Sequence, residues 1–424
     1  MNDKSIAAVD SARFSKYFVK PLYDTYSFAR IPETVIRLLT GKSTHSLPED
    51  AIGGVWDKYD CVLLFLVDGF GFRFFDQYAS EYPFLRRFAS DGIVTKISAQ
   101  FPSTTAAHIT TLSTGMEVGQ SGIYEWFYYE PLVDRMIAPL PFCYAGDRSV
   151  NTLCDAKIPP EQFFPKHTIY EELNKHGVDS HVLQHESIAH SFYSSAMCKG
   201  ANVHPFTSLT EGLEKSVNLL VESSTNPVYI HLYFGDIDTV GHRSGIQSSE
   251  FAHAVDSCWK VMEEHFWKKV DSLGKRVACI VTADHGMISL DPKTTIQLNE
   301  MFPGIVDEFI CNAKGEPLVP AGSSRDFFLH IKPKRLKPVL DMLRNALKGI
   351  AEVYLTSDLI ENGFFGLKRP SQEFLKRVGN LVILPYANES IWWHQKGRFE
   401  QNFYASHGGL TPEEMHSLFL FTKL

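Results

Sequence analysis

The chain has 424 residues, of which 44% are hydrophobic, and carries a formal net charge of −8 at pH 7. This length and hydrophobic content suffice for a large core and suggest two or three domains. The acidic balance argues against binding to nucleic-acid polymers, which favour a basic surface, and no apolar stretch approaches the ~18 residues of a membrane span, so no membrane association is expected.

The cysteines indicate a reducing compartment. All seven are scattered along the chain without a CxxC pair, and their number is odd, which is typical of thiols that stay reduced. The residues after Met1 lack the apolar stretch of a secretory signal. We therefore expect a cytoplasmic protein; the sequence does not specify its oligomeric state.

The first predicted elements are a lead-in and a buried strand. Residues 1–55 form a polar N-terminal segment with a short helix near Pro32 to Leu39, which we expect to pack on the core. The apolar run from Cys61 to Val67 predicts a fully buried strand, and Asp68 follows it directly. The stretch from Asp91 to Ile97 predicts a turn and a second strand.

A loop rich in hydroxyl side chains comes next. The segment from Phe101 to His108 predicts a loop that turns into a helix, and Ser103, Thr104 or Thr105 could serve simply as its N-cap. The free N–H groups at a helix N-terminus also bind phosphoryl oxygens. A hydroxyl placed there beside a divalent metal becomes a nucleophile near neutral pH.

Two further apolar runs lead to pairs of aspartate and histidine. The run 228–234 precedes Asp238 and His242, which are four positions apart and would share one face of a helical turn. The run 277–281 precedes the adjacent Asp284 and His285. Any one of these residues alone would be interpreted as a helix cap or a surface histidine, but their joint occurrence after consecutive strands favours a shared site.

The alternation of elements predicts the fold class. Apolar residues recur every three or four positions between Ser249 and Val270, which predicts an amphipathic helix between two buried strands. We therefore expect an α/β fold with a mostly parallel sheet flanked by helices. Residues 291–383 interrupt this pattern and predict an inserted α+β lobe, so that 56–290 and 384–424 form the catalytic core.

The predicted sheet brings the acidic residues together. The carboxyl ends of parallel strands meet at one edge of a sheet, and carboxylates mixed with imidazoles are ligands for a divalent metal. The expected set includes His407, which is followed by two glycines near the C-terminus. Its members are Asp68, Asp238, His242, Asp284, His285 and His407.

Five motifs resemble those of the alkaline phosphatase superfamily, with the greatest similarity to its type I phosphodiesterase and nucleotide pyrophosphatase branch. They occur in that family's order between about 60 and 410: Asp68-Gly-Phe, Phe-Pro-Ser-Thr-Thr105, Asp238-x-x-Gly-His242, Thr-Ala-Asp284-His285-Gly-Met and Ser-His407-Gly-Gly. The resemblance implies an alkaline phosphatase-like core with Thr105 as the nucleophile. It implies two zinc sites, for which manganese is an alternative: one with Asp68, Asp284, His285 and Thr105, the other with Asp238, His242 and His407.

The resemblance also implies a reaction. A two-metal hydrolase of this branch would cleave phosphodiester or nucleotide pyrophosphate bonds of a small phosphate ester or nucleotide through a phosphothreonine intermediate. The branch has an asparagine three residues after the nucleophile, where this chain has His108, which leaves the diester preference open. A phosphomonoesterase, a phosphonate hydrolase or a phosphomutase on the same metals is the alternative, and a non-catalytic nucleotide-binding protein is the third.

Four residues are candidates for substrate binding. His108 could donate a hydrogen bond to a phosphoryl oxygen, or it could pack away from the site on its helix. Tyr124 and Trp126 lie in a segment similar to one that lines the substrate pocket in that branch, and aromatic rings of this kind stack on bases or pack into the core. Arg325 is a candidate phosphate clamp, with a surface ion pair as its alternative.

Overall fold

The computed structural model describes residues 1–43, 45–54, 58–222, 226–270 and 275–424. The expected boundary between 55 and 56 lies outside these residues. A seven-stranded sheet forms the centre of the fold. Its strands are β1 (Cys61–Val67), β2 (Ile93–Ser98), β3 (Asp179–His185), β4 (Asn202–Phe206), β5 (Val228–Phe234), β6 (Val277–Thr282) and β7 (His416–Lys423). They lie side by side in the order β2-β7-β6-β1-β5-β3-β4.

The sheet is mostly parallel, as predicted. Strand β1 pairs in parallel with β5 and β6, and β3 pairs in parallel with β4 and β5. Strand β7 is antiparallel to both β2 and β6. Every residue of β1 and β6 is buried, because helices cover both faces of a parallel sheet.

Two apolar cores flank the sheet, one on each face. Alternate residues of β1 point to opposite sides: Phe65 packs in the core that contains Trp259, whereas Leu64 packs in the core that contains Val35.

The α-helices are Asp3–Ser11, Ile31–Thr40, Phe72–Tyr78, Pro83–Ser90, Thr105–Thr114, Val118–Ser121, Ile169–Lys175, Glu186–Ala189, Phe192–Met197, Leu209–Glu222, Asp236–Ser244, Ser249–Met262, Lys268–Val270, Leu298–Met301, Leu336–Ala346, Thr356–Glu361, Gln372–Arg377 and Pro412–Met415.

The helix predicted between Ser249 and Val270 is present. It consists of Ser249–Met262 and Lys268–Val270 joined by a π-helical turn, Glu263–Trp267. None of the helices in the described part of the chain combines the length and apolarity that a membrane crossing requires.

Four smaller sheets lie outside the central sheet in the described structure. A four-stranded sheet, mostly within residues 291–383, contains Ala321–Gly322, Phe327–Leu329, Leu381–Pro385 and Ala351–Leu355. Its strand Leu381–Pro385 runs across the expected lobe boundary between 383 and 384. A three-stranded sheet contains Tyr128–Glu130, Arg135–Ala138 and Cys143–Tyr144, and two strand pairs join Ile288–Ser289 to Ala405–Ser406 and Ile296–Gln297 to Ile391–Trp392.

A buried ion pair joins this lobe to the C-terminal segment. The Nε and Nη2 atoms of Arg325 each donate to a carboxylate oxygen of Glu414 over 2.9 Å, and both side chains are fully buried. The remaining donors of Arg325 bind the carbonyl oxygens of Pro385, Tyr386 and Glu389. A bidentate pair of this kind fixes the relative position of its two segments.

We expect Arg325→Ala to lower the free energy of unfolding by ~3–5 kcal/mol, because it leaves the Glu414 carboxylate buried and unpaired. Urea unfolding at a fixed zinc concentration measures the loss. The matched control is Arg335→Ala, since Arg335 pairs with Glu308 over 2.6 Å but is half exposed, and it should cost about 1 kcal/mol or less. Equal losses in the two variants would contradict a stabilising role for the buried pair.

Candidate functional site

Two carboxylates mark the ends of neighbouring strands at the centre of the sheet. Asp68 directly follows β1, Asp284 lies two residues beyond β6, and both are almost fully buried. One oxygen of Asp284 accepts hydrogen bonds from the backbone N–H groups of Gly69 and His285, at 3.1 and 3.0 Å. The parallel pairing of β1 with β6 therefore places both carboxylates at one edge of the sheet.

The third carboxylate comes from the helix that follows β5. Asp238 and His242 lie on the helix Asp236–Ser244, and the Nε2 atom of His242 is 3.3 Å from an oxygen of Asp238. The Nε2 atom of His407 lies 3.6 Å from the other oxygen of Asp238. The strand pair Ile288–Ser289 with Ala405–Ser406 delivers His407 to this position.

All three imidazoles present the same ring nitrogen to the site. The Nδ1 atoms of His242, His285 and His407 lie 2.7, 3.0 and 2.9 Å from backbone carbonyl oxygens of Ala405, Gly286 and Ser103. Because a carbonyl oxygen only accepts, each Nδ1 carries a proton, and Nε2 keeps a free lone pair whenever the ring is neutral. Metal-binding histidines are oriented by second hydrogen bonds of this kind.

The three buried carboxyl groups have pKa values that are shifted in different directions. Burial, followed by the charges of Asp284 and Asp238, raises the pKa of Asp68 well above its usual range, and burial also raises the pKa of Asp284. For Asp238 burial opposes ionisation, but His242 and the other two imidazoles outweigh it and lower the pKa. A cation placed among these three groups would relieve both the burial cost and their repulsion.

The imidazoles differ in protonation. Burial lowers the pKa of His285 to about 4 and that of His407 to about 3, so both rings are neutral at pH 7. Burial acts in the same direction on His242, but the Asp238 carboxylate outweighs it and raises the pKa. Neutral imidazoles are the form that binds metals.

The ligand atoms form two overlapping groups that fit metal ions. In each group, one ligand atom per residue lies within 4.8 Å of the others: Asp68, Asp284 and His285 in one, Asp238, His285 and His407 in the other. His242 stands outside both groups but contacts Asp238. One buried oxygen of Asp238 and one of Asp284 have no hydrogen-bond partner in the described structure, and such orphaned oxygens are suited to a cation.

The hydroxyl of Thr105 lies beside the first group. Its Oγ1 is 3.2 Å from Nε2 of His285 and 3.4 Å from Oδ2 of Asp68. Thr105 opens the helix Thr105–Thr114, and Thr104 is the N-cap residue, whose side chain accepts from the N–H of Ala107. The hydroxyl therefore faces both the carboxylates and a helix N-terminus, whose positive end favours anions.

His108 is not brought into the site. Its Nε2 accepts from the backbone N–H of Gln100 at 2.8 Å, and its Nδ1 donates to the carbonyl of Thr104 at 2.7 Å. The ring is fully buried and packs edge-on against Phe28, and burial lowers its pKa to about 4. Both ring nitrogens are therefore occupied, which matches the packing interpretation and leaves no donor for a phosphoryl oxygen.

The other three substrate-binding candidates differ in position. All the side-chain donors of Arg325 are used in its buried hydrogen bonds to Glu414 and to backbone carbonyl oxygens. Arg325 is therefore neither the phosphate clamp nor a surface ion pair. Tyr124 is fully buried and stacks on Tyr128 at 5.5 Å between ring centroids. Trp126 is 46% exposed. Its segment contacts the loop that precedes Thr105, because the Tyr124 carbonyl accepts a hydrogen bond from the Thr104 hydroxyl at 3.1 Å.

Two residues of the site escaped the sequence interpretation. The hydroxyl of Tyr233 donates to Asp68 over 2.5 Å, and the Ser103 side chain donates to the carbonyl of Gly409 while accepting from the N–H of Gly408. Tyr233 lies near the carboxyl end of β5, which pairs with β1, so its position next to a strand-end aspartate was a usable signal. Ser103 carries no such signal, because its partners are backbone groups about 300 positions away.

Comparison with known proteins identifies the family and the fold of the chain. Residues 62–410 match the family described as type I phosphodiesterase / nucleotide pyrophosphatase, whereas a comparison with curated proteins finds no significant match. The fold is similar to that of murine ectonucleotide pyrophosphatase/phosphodiesterase 5, with 18% identity, a TM-score of 0.61 and coverage of 85% of this chain and 87% of that one.

The same values apply to an inactive threonine-to-alanine variant of the murine protein in complex with AMP. The human protein gives 17% identity with the same TM-score and coverage. At these identities the structural likeness establishes the fold. The family match spans most of the chain and includes all six ligand candidates together with Thr105, so the chain belongs to the type I phosphodiesterase / nucleotide pyrophosphatase family of hydrolases.

Proposed function

We propose that this protein is a two-metal hydrolase that cleaves phosphodiester or nucleotide pyrophosphate bonds through a phosphothreonine at Thr105. The observation that carries the proposal is the position of the Thr105 hydroxyl. It lies within 3.5 Å of both Asp68 and His285 and at a helix N-terminus. A nucleophile, metal ligands and an anion-binding helix end therefore meet at one point.

The donor set suits two divalent ions. Asp68, Asp284 and His285 would hold one, with the Thr105 oxygen beside it, and Asp238, His242 and His407 would hold the other. The mixture of carboxylate oxygens and imidazole nitrogens is typical of zinc, and manganese accepts the same ligands. When bound, such a pair lowers the pKa of the nucleophile and stabilises the charge of an in-line phosphoryl displacement.

The residues of the chain then have separate roles in two displacements. In the first, the Thr105 hydroxyl gives up its proton, its oxygen forms a new O–P bond, and the bond to the leaving alcohol or nucleotide breaks as that group takes up a proton. In the second, the oxygen of water forms a bond to phosphorus, the O–P bond of Thr105 breaks, and Thr105 receives a proton from that water. The N–H groups at the start of the helix Thr105–Thr114 would donate to the phosphoryl oxygens, and Tyr233 holds Asp68 in place through its 2.5 Å hydrogen bond.

A nucleotide substrate is supported by one neighbour and one side chain. An inactive variant of the murine protein of similar fold was solved in complex with AMP, and the half-exposed Trp126 lies two residues after Tyr124, whose carbonyl accepts from the Thr104 hydroxyl. Stacking on an indole face is worth ~1–3 kcal/mol per base. A substrate with a planar group on one side of its phosphoryl group would use this contact.

We also propose a cytoplasmic location, which the cysteines support. All seven belong to the described residues and none is in a disulfide, with Cys61, Cys143, Cys198, Cys258 and Cys279 buried. Reduced thiols are the rule in the cytoplasm.

The protein should bind two divalent ions per chain at saturation with zinc. Three carboxylates, three imidazoles and one hydroxyl are too many ligands for a single four-coordinate centre. Elemental analysis after zinc reconstitution and gel filtration measures the stoichiometry. A saturating value of one or of zero would refute the paired site, whereas occupancy by manganese would leave it intact.

Metal affinity should rise as the pH is raised. Protons held by Asp68, Asp284 and His242, whose pKa values are raised, must leave before the metal binds, whereas His285 and His407 are already neutral. Each proton released adds on the order of tenfold in affinity per pH unit below the relevant pKa. Titrations with chelator-buffered zinc at three pH values test this. A flat or falling affinity would show that these groups are not the ligands.

Thr105→Ala should lower turnover by several orders of magnitude while zinc content stays near that of the wild type. The substitution removes the covalent route but keeps the carboxylates and imidazoles. Thr105→Ser should retain part of the activity, because it keeps the hydroxyl. Thr104→Val is the matched control, since Thr104 caps the helix instead of facing the metals. Near wild-type turnover in Thr105→Ala would assign the attack to another group.

Diesters should be cleaved with a higher kcat/KM than monoesters that carry the same leaving group. A diester brings one negative charge fewer to a centre whose imidazoles His285 and His407 are neutral at pH 7 and add no positive charge. His108→Asn should leave the ratio of the two rates unchanged, because both ring nitrogens of His108 bind the backbone. Rates for bis- and mono-nitrophenyl phosphate across a pH series test both statements. A monoester preference at every pH would instead favour a phosphomonoesterase.

A further inference from the structure

A second cleft lies apart from the metal centre. It has a volume of about 380 Å³ and is bounded by the three-stranded sheet, by residues 312–319 and by the segment 393–399. None of the residues that line it belongs to the metal centre. The volume falls within the range of ~300–1,000 Å³ that small-molecule sites occupy.

Two guanidinium groups line this cleft. Arg135 lies over the ring of Tyr144 at 4.1 Å, and within the described residues its side chain has no carboxylate or carbonyl partner. Arg398 donates one hydrogen bond to the carbonyl of Ala145 at 2.9 Å, and its other donors have no partner among the described residues. Guanidinium groups with unused donors bind carboxylate and phosphate groups through paired hydrogen bonds.

The rest of the lining carries one carboxylate, that of Glu316, and is partly aromatic. Glu316 contributes a carboxylate, but one of its oxygens already accepts from the Asn312 side chain at 2.8 Å. The half-buried ring of Trp393 and the buried ring of Phe399 supply apolar surface. The cleft therefore offers cationic donors beside aromatic faces, a combination suited to an anion joined to a planar group.

We propose that this cleft is a second binding site, for a nucleoside monophosphate. Its phosphate would lie on Arg135 and Arg398, and its base would lie against Trp393. The segment that follows leads to His407, and Phe399 packs edge-on against Phe127 at 5.8 Å, next to Trp126. A bound nucleotide would therefore restrain the chain that carries a metal ligand. This binding does not depend on the identity of the nucleophile or of the substrate.

Calorimetric titration of the metal-loaded protein with AMP tests the proposal. Arg135→Glu should weaken one binding event by at least about tenfold, as the loss of a charge-assisted hydrogen bond implies. The control Arg369→Glu, at an exposed arginine outside the cleft, should leave every event unchanged. Turnover of a nitrophenyl diester without AMP should be the same in both variants, which shows that Arg135→Glu is folded. Arg398→Ala is the second variant if it is not.

Two further measurements fix the ligand class and the location. Inorganic phosphate should bind to the Arg135-dependent site at least about tenfold more weakly than AMP, because it lacks the base. Photolabelling with an azido-AMP should modify peptides that contain residues 135–145 or 393–399. The proposal is overturned if Arg135→Glu changes no binding event, if phosphate binds as tightly as AMP, or if only peptides of the metal centre are labelled.

Discussion

The main constraint on this structure is the repulsion among three buried carboxylates at one edge of a parallel sheet. Asp68, Asp238 and Asp284 are almost completely removed from water, and burial of unpaired carboxylates is among the most costly arrangements in a protein. The imidazoles beside them cannot compensate fully, because His285 and His407 are neutral at pH 7. The edge is therefore suited to external positive charge, and under the proposed function Thr105 would use that charge in catalysis.

The orientation of the imidazoles shows how the fold supports this edge. Each Nδ1 is bound to a carbonyl of a different segment: a short strand before His407, the turn after β6, and the loop before Thr105. These carbonyls are fixed by the sheet and by the strand pair Ile288–Ser289 with Ala405–Ser406. Because backbone groups do the orienting, the centre is held rigid before any ion or substrate arrives, which is the condition for efficient electrostatic catalysis.

How far the sequence predicted this arrangement depends on the range of the interactions. Asp68 and Asp284 were predictable, because an apolar run followed by an aspartate encodes a strand end locally. The environment of Arg325 was not, since its partner Glu414 lies 89 positions away and the flanking Gly-Ser-Ser reads as an exposed loop. The hydrogen bonds of His108 were also not predictable from the sequence. Its two partners are the backbone groups of Gln100 and Thr104, and no residue type signals that a backbone group will be free.

The neutrality of His108 has a consequence for the way charge is balanced at the site. Under the proposed function, three carboxylates and an ionised Thr105 oxygen would carry four negative charges, which two divalent ions would cancel. His108 adds nothing to this balance, because its ring is buried and both nitrogens are bound. Any further charge on the substrate must then be met by the N–H groups at the start of the helix Thr105–Thr114, whose partial charge is about half a unit. The helix end thus sets how much phosphoryl charge the centre tolerates.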